Sequence, residues 1–216
     1  VKEARTANPN TILIDNGDTI QDNSSSLFLN DDVLPMIAGM NQIGYDTWTA
    51  GNHEFNYGVP LLEKAVSTFA GQFLLANVYK GEAVEANRLP GAQAYTIVEK
   101  DGVKVAIIGV VTPHITKWDS ANLEGYTVTD PEIEVAAAAA KIRANNEADV
   151  VVVSFHASLG GEYEGLTDSA AKIAENVSGI DAIICGHEHS LINTVVNGVP
   201  ILEPSRYGDY VSKITF

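Results

Sequence analysis

The chain has 216 residues, and 13 Lys+Arg against 28 Asp+Glu give a formal net charge of −15. That balance excludes a nucleic-acid duplex binder, because neutralising a phosphate backbone needs clustered Lys and Arg. A composition 45% hydrophobic and 19% charged is that of a globular chain long enough to bury a full core, and it excludes extended disorder. The longest apolar runs, such as Val103–Val111 and Val150–Val153, fall short of the ~18 or more residues that a membrane span requires. No stretch reads as a signal segment, and the single Cys185 leaves the redox compartment open.

In chain order, Val1–Asn10 reads as the last turns of a helix closed by Asn8-Pro9-Asn10, so the chain is expected to start inside an α/β unit whose first strand lies upstream. Thr11–Asp15 follows as a strand, and Leu27–Gln42 and Val59–Phe69 carry helical spacing. Asp101-Gly102 is a hairpin signal between Thr96–Val98 and Lys104–Val111. Pro131–Asn145 predicts a helix, with Pro131 in its first turn and a strongly helix-forming tract at Ala136–Ala140. Asp149–Phe155 is a strand, Asp168–Asn176 a helix and Ala182–Cys185 a shorter strand; Asn197-Gly198 then turns a second hairpin between Asn193–Val196 and Pro200–Leu202. Runs that are apolar at consecutive positions suit strands buried on both faces, and their alternation with helices gives an α/β class with mixed sheets. With no repeat and no Pro/Gly/Ser-rich linker, residues 1–216 read as a single domain.

Four of the five histidines, His53, His156, His187 and His189, fall where a strand is predicted to end. Ligand sites of open α/β sheets gather outside the carboxyl ends of strands. Gly17 precedes Asp18, Gly51 precedes Asn52-His53, and Gly186 precedes His187-Glu188-His189, whose two imidazoles can reach the same side of an extended segment. Asp, Asn-His, His and His-x-His at four strand ends suggest a metal cluster, since oxygen and imidazole ligands together suit Zn, Mn, Fe or Co. A dinuclear site bridged by one carboxylate would clamp the attacking and leaving oxygens of a phosphoryl transfer.

Gly17-Asp18-Thr19-Ile20-Gln21, Gly51-Asn52-His53-Glu54, His156 and Gly186-His187-Glu188-His189, in that order, resemble the motifs of the calcineurin-like metallophosphoesterases. The text around them resembles the bacterial 5′-nucleotidase and 2′,3′-cyclic-nucleotide 2′-phosphodiesterase/3′-nucleotidase group over essentially the whole chain: Phe55-Asn56-Tyr57-Gly58, Thr112-Pro113 with Trp118-Asp119, and Asn197-Gly198-Val199-Pro200 before Tyr207-Gly208-Asp209. The resemblance implies a four-layer α-β-β-α sandwich with mixed sheets, here without its first strand. It also implies two divalent cations in the full-length protein, with Mn, Zn, Fe, Co and Mg all open. Asp18 would bridge them, Asn52, His156 and His187 would complete one site, and His189 would serve the other. His53, oriented by Asn56, would contact the phosphate and assist the leaving oxygen while a metal-bound hydroxide attacks phosphorus. Bound cations would also reverse the local field of a chain at −15.

The sequence departs from that pattern twice. It contains no Asp-x-His, the family's first motif, which leaves the second metal short of ligands. Asn56 stands where the 5′-nucleotidase branch carries Asp, which favours the cyclic-phosphodiesterase branch; Asn can orient His53 but cannot stabilise its cation by charge. The resemblance further implies a nucleotide or other small phosphoester substrate, a C-terminal substrate-binding domain beyond this chain, and a secreted, cell-surface or periplasmic location. A 5′-nucleotidase or UDP-sugar hydrolase of the same fold, and a catalytically weak binding module with an incomplete metal site, are the alternatives. Elsewhere, His114 reads as a loop or surface residue, Arg206 as a surface cation and Cys185 as buried and inert. Asp22, Asp31, Asp32 and Glu54 read as solvated acids, with Glu54 best placed to support His53.

Overall fold

The computed structural model describes residues 1–21 and 24–216. The first sheet is wholly parallel, in the order β1 (Ile14–Asp15), β2 (Thr47–Thr49), β3 (Gln72–Leu74), β5 (Ala92–Gln93). Two helices, α2 (Pro35–Ile43) and α3 (Val59–Thr68), cover its outer face and bury Ile37, Met40, Leu62 and Ala65 with Trp48 and Phe73 of the sheet. The second sheet has six strands, with β12 (Val199–Pro204), β10 (Ala182–Cys185), β9 (Val150–His156) and β7 (Val103–Val111) parallel at its centre. Antiparallel β11 (Leu191–Val196) and β6 (Tyr95–Lys100) close its two edges. Its outer face is covered by α5 (Pro131–Ala144) and α6 (Ala170–Asn176), which bury Val135, Ala139, Ile142 and Ile173 against Ile108, Val151, Val153 and Ile183. A two-stranded ribbon of β4 (Val78–Lys80) and β8 (Tyr126–Val128) completes the strands, while α1 (Lys2–Ala7) and α4 (Ile115–Trp118) are short.

The uncovered faces of the two large sheets meet, which gives the expected α-β-β-α layering. Strand alternation dictates which residues line that contact: Trp48 points to the helices, so Thr47 and Thr49 point to the other sheet, as does Ser154 between Val153 and Phe155. Gly109 marks how close the sheets lie, since a Cβ there would sit 2.3 Å from Leu74 Cβ. At the end of this contact nearest the strand termini the packing turns polar. The Thr49 hydroxyl donates to Ser154 Oγ at 2.8 Å, and Asn16 Nδ2 donates to the same oxygen at 2.8 Å.

The two predicted hairpins form, with both central residues at positive φ, Asp101 at 52° and Gly102 at 80°, Asn197 at 50° and Gly198 at 82°. Two expected elements change. Leu27–Gln42 is not one helix: a 3-10 turn ends at Phe28, and α2 starts only at Pro35, which has no N–H to continue a helix from upstream. Thr11–Asp15 pairs only through Ile14 and Asp15. Val1–Asn10 supplies α1, and β1 forms one edge of its sheet. The strands that periodicity did not predict, β3, β4, β5 and β8, span two or three residues each, too short to show a period of two.

Candidate metal centre

Two backbone segments approach each other so closely that neither tolerates a side chain. Gly17, at φ 100°, would place a Cβ 2.2 Å from the amide nitrogen of Gly51; a Cβ on Gly51 would lie 2.3 Å from Asp18 Oδ1 and 2.8 Å from His156 Cε1. The glycines therefore let the ends of β1 and β2 interlock, so that Asp18 and Asn52 face one another. Asp18 itself sits in the left-handed region at φ 61°, and His187, beyond β10, does so at 76°. Such backbone persists in non-glycine residues only where the surroundings over-determine it.

From the second sheet, His156 ends β9 and His187 follows β10. His156 Nε2 lies 3.2 Å from Asp18 Oδ2 and 3.1 Å from Asn52 Oδ1, and His187 Nδ1 lies 2.8 Å from the same Asn52 oxygen. The second nitrogen of each ring is already committed: His156 Nδ1–H donates to the Asn16 carbonyl at 2.7 Å, and His187 Nε2–H donates to Glu162 Oε2 at 3.1 Å. A neutral imidazole carries one N–H, so Asp18 Oδ2, Asn52 Oδ1, His156 Nε2 and His187 Nδ1 all turn lone pairs toward one small space. The candidate ligand atoms of Asp18, His156 and His187 lie within 4.8 Å of one another. That donor set fits a divalent cation, and each imidazole carries the outer hydrogen-bond partner typical of metal-binding histidines.

Within the cluster the protonation is uneven. Burial works against a charged His156, but the Asp18 carboxylate and the Asn16 carbonyl outweigh it and hold its pKa at about 9. Burial likewise opposes ionised Asp18, yet His156 and the His53 amide hold it well below the usual carboxylate range. His187 is pushed down, first by burial and then by His156.

Glu54 is not the solvated acid expected from sequence. It is buried, and its carboxylate accepts from the amides of Asp18 (2.7 Å), Thr19 (2.6 Å), Ile20 (3.1 Å) and Gly51 (2.5 Å), tying both glycine turns together. Burial, then the Asp18 charge, push its pKa up to about 7 against those amides. His114 is likewise not a surface residue. It is 5% exposed, with Nε2 3.1 Å from Asp168 Oδ2 and its ring 4.6 Å from that of Tyr163. Asn16 and Glu162, which orient the His156 and His187 imidazoles, were missed from sequence. Asp31 and Asp32 are exposed as expected, and Asp22 lies outside the described residues.

His53 is half-buried beside Asp18, with its Nδ1 2.5 Å from Asn56 Oδ1. Asn56 Nδ2 in turn donates to both oxygens of Asp119 at 2.9 Å. His189 stands apart from the Asp18–His156–His187 group, exposed, with its ring 6.0 Å from that of Tyr207. Arg206 is exposed and lies over the Tyr207 ring at 5.0 Å.

A family model for calcineurin-like phosphoesterases matches residues 1–191. The chain belongs to the calcineurin-like phosphoesterase family. Calcineurin-like phosphoesterases bind divalent metals, and the Asp18–His156–His187 group is a possible ligand set for one. The trifunctional nucleotide phosphoesterase protein YfkN of Bacillus subtilis is 32% identical over 245 residues, covering 99% of this chain and 17% of that protein. The 2′,3′-cyclic-nucleotide 2′-phosphodiesterase/3′-nucleotidase of Salmonella typhimurium is 30% identical over 240 residues, 99% of this chain and 37% of that one. A crystal structure of the B. subtilis phosphoesterase YfkN matches with a TM-score of 0.80 at 31% identity, covering 94% of this chain and 70% of the other. The chain thus spans at most 37% of these two curated relatives. Among the described residues no helix is long and apolar enough to cross a membrane.

Proposed function

We propose that residues 1–216 form one phosphoester-cleaving domain of a metal-dependent hydrolase acting on nucleotides, with 2′,3′-cyclic nucleotides preferred over 5′-monophosphates. The observation that carries this reading is the cluster of four converging lone pairs with an imidazole, His53, standing beside it rather than within it. Asp18, Asn52, His156 and His187 would hold one divalent cation, and Asp18 and His189 would contribute to a second. Bound cations supply the positive charge that draws in phosphoryl oxygens and lowers the pKa of attacking water.

The remaining work falls to the chain. Glu54 fixes the two glycine turns, so the oxygen ligands keep their places without reorganising. Water adds across the P–O bond: its oxygen bonds to phosphorus and one of its protons passes to solvent. The departing oxygen keeps the electron pair of the broken bond and takes a proton from His53 Nε2, which solvent then replaces. Asn56, in place of a carboxylate, supports the cyclic-nucleotide preference, as does the Salmonella relative's name. A 5′-nucleotidase is the second reading, since Asp119 brings a carboxylate behind Asn56, and a Vibrio vulnificus protein named 5′-nucleotidase is 27% identical over 212 residues. By the resemblance that its motifs carry, we place the activity outside the cytoplasm, in a longer protein with a C-terminal substrate-binding domain.

The test loads the chain with Mn²⁺ and compares turnover of 2′,3′-cyclic AMP with that of 5′-AMP. Replacing His53 by Ala should cost roughly 10²–10⁴-fold in kcat, the worth of general acid catalysis, with metal content unchanged. Parallel loss of metal and activity would make His53 a ligand instead. A chain that takes up no Mn, Zn or Fe at micromolar metal would be a binding module.

A further inference from the structure

We propose that Asp119 is a positioning residue for His53, acting through the side-chain amide of Asn56; the inference rests on His53 serving the leaving oxygen, as above. An asparagine amide can present either its oxygen or its NH₂ to an imidazole. Here the choice is forced from behind. Both Asp119 oxygens lie 2.9 Å from Asn56 Nδ2, and a carboxylate only accepts, so the NH₂ must face Asp119 and Oδ1 must face His53. Oδ1 then fixes the proton of a neutral His53 ring on Nδ1 and leaves Nε2 for the departing oxygen.

The Asp119 side chain has no comparable second task. Its segment is already held by main-chain bonds, from Asp119 N to the Ile115 carbonyl and from Asn122 N to the Asp119 carbonyl. The residue is 8% exposed, and among the described residues no Lys, Arg or His pairs with it. A carboxylate withdrawn from water without a cation is costly. Among the described residues its side chain finds only Asn56 and, at 3.3 Å, Asn122 Nδ2, which also donates to the carbonyls of Phe55 and Asn56. The charge that Asn56 lacks therefore stands one residue further back, joined to His53 by two hydrogen bonds. Sequence hides this, since Asn56 and Asp119 are 63 positions apart.

Two measurements test the relay. In the metal-free chain, ¹⁵N NMR of the neutral His53 ring should show the Nδ1–H tautomer, and Asp119→Ala should release the amide and mix the two tautomers. In the Mn²⁺-loaded chain, Asp119→Ala should lower kcat for 2′,3′-cyclic AMP, whose leaving oxygen needs a proton, by about 10–100-fold, part of the general-acid contribution. The loss should be markedly smaller for bis(p-nitrophenyl) phosphate, whose leaving group needs none, with KM little altered.

Should Asp119→Ala fail to fold, an exchange that keeps side-chain size decides. Asn56→Asp alone sets two carboxylates face to face and should lose activity, while Asn56→Asp with Asp119→Asn puts the carboxylate directly on His53 and should recover it to within several-fold of wild type. Equal losses on both substrates, or a double variant no better than Asn56→Asp alone, would overturn the relay. So would an unchanged tautomer ratio, which leaves the phosphoesterase reading intact. A shifted ratio in a chain whose metal-loaded wild type hydrolyses neither substrate would overturn that reading instead.

Discussion

The candidate centre is built in two halves of different character. The parallel sheet delivers oxygen donors, Asp18 and Asn52, from turns locked by glycine contact and by four amides on buried Glu54. The six-stranded sheet delivers imidazoles, each steered by one outer partner, Asn16 for His156 and the more exposed Glu162 for His187. The oxygen half is fixed through its backbone because the Asp18 and Asn52 side chains are short. The imidazole half spans more distance with its side chains, so one hydrogen bond to the far side of each ring suffices. Damage to the first half should thus spread through the fold, while damage to the second should stay local.

The largest effect is expected at Gly51. A methyl there meets Asp18 Oδ1 at 2.3 Å and the Asp18 amide nitrogen at 2.5 Å, so Gly51→Ala must part the two turns. We expect a loss of about 3 kcal/mol of stability, the upper end of the usual cost of overpacked sites, together with loss of metal uptake; calorimetry and metal analysis read both. A midpoint close to wild type would show that the interlock is softer than its distances imply.

An intermediate effect concerns Glu203, the fully buried carboxylate on β12 that accepts from the Ser190 amide just past His189. Burial, and after it Glu188, raise its pKa to about 7, while the Ser190 amide opposes them. The folded protein therefore binds this proton more tightly than the unfolded chain does. Its contribution is full below the ordinary glutamate pKa and is lost as pH rises through about 7. Denaturant midpoints of Glu203→Gln should lack the part of the wild-type decline between pH 5 and 8 that this group causes, roughly 1–3 kcal/mol; parallel profiles would remove Glu203 as its source.

The smallest effect belongs to Glu162. Glu162→Gln keeps an acceptor for His187 Nε2–H but removes its charge, and an outer-partner change typically costs about 10–100-fold in metal affinity. Partial exposure of Glu162 places the expectation at the low end, with stability unchanged. A stability loss as large as that of Gly51→Ala would erase the distinction between the halves.

The four residues of the candidate centre were legible in the sequence for a local reason. Asp18, Asn52, His156 and His187 are polar residues placed directly after apolar strands, three of them next to a glycine, and those signals lie within a few positions of the residue itself. The supporting residues carried no such signal. Glu54 sits in a polar stretch that reads as exposed, and its burial follows from Asp18–Ile20 folding over it from 34 to 36 positions away. His114 follows Thr112-Pro113 and reads as a turn, yet Tyr163 and Asp168, far along the chain, cover it. The same holds for the fold. Long apolar runs announced β7 and β9, whereas β3 and β5 exist only because neighbours complete them.

The polar seam of Thr49, Ser154 and Asn16 also sets a timetable. Thr49 and Ser154 are 105 residues apart, and Asn16 and Ser154 are 138 apart. A ribosome adds roughly 5–20 residues per second, so on the order of ten seconds separates the emergence of Asp18 and Asn52 from that of His156 and His187. Throughout that interval the candidate site holds the carboxylate of Asp18 and the amide oxygen of Asn52 without His156 and His187, a set that suits Mg²⁺ or Ca²⁺ better than Zn²⁺. A cation held by all four groups would therefore be chosen only once β9 and β10 have docked, which would assign the choice of metal to the finished fold rather than to the growing chain.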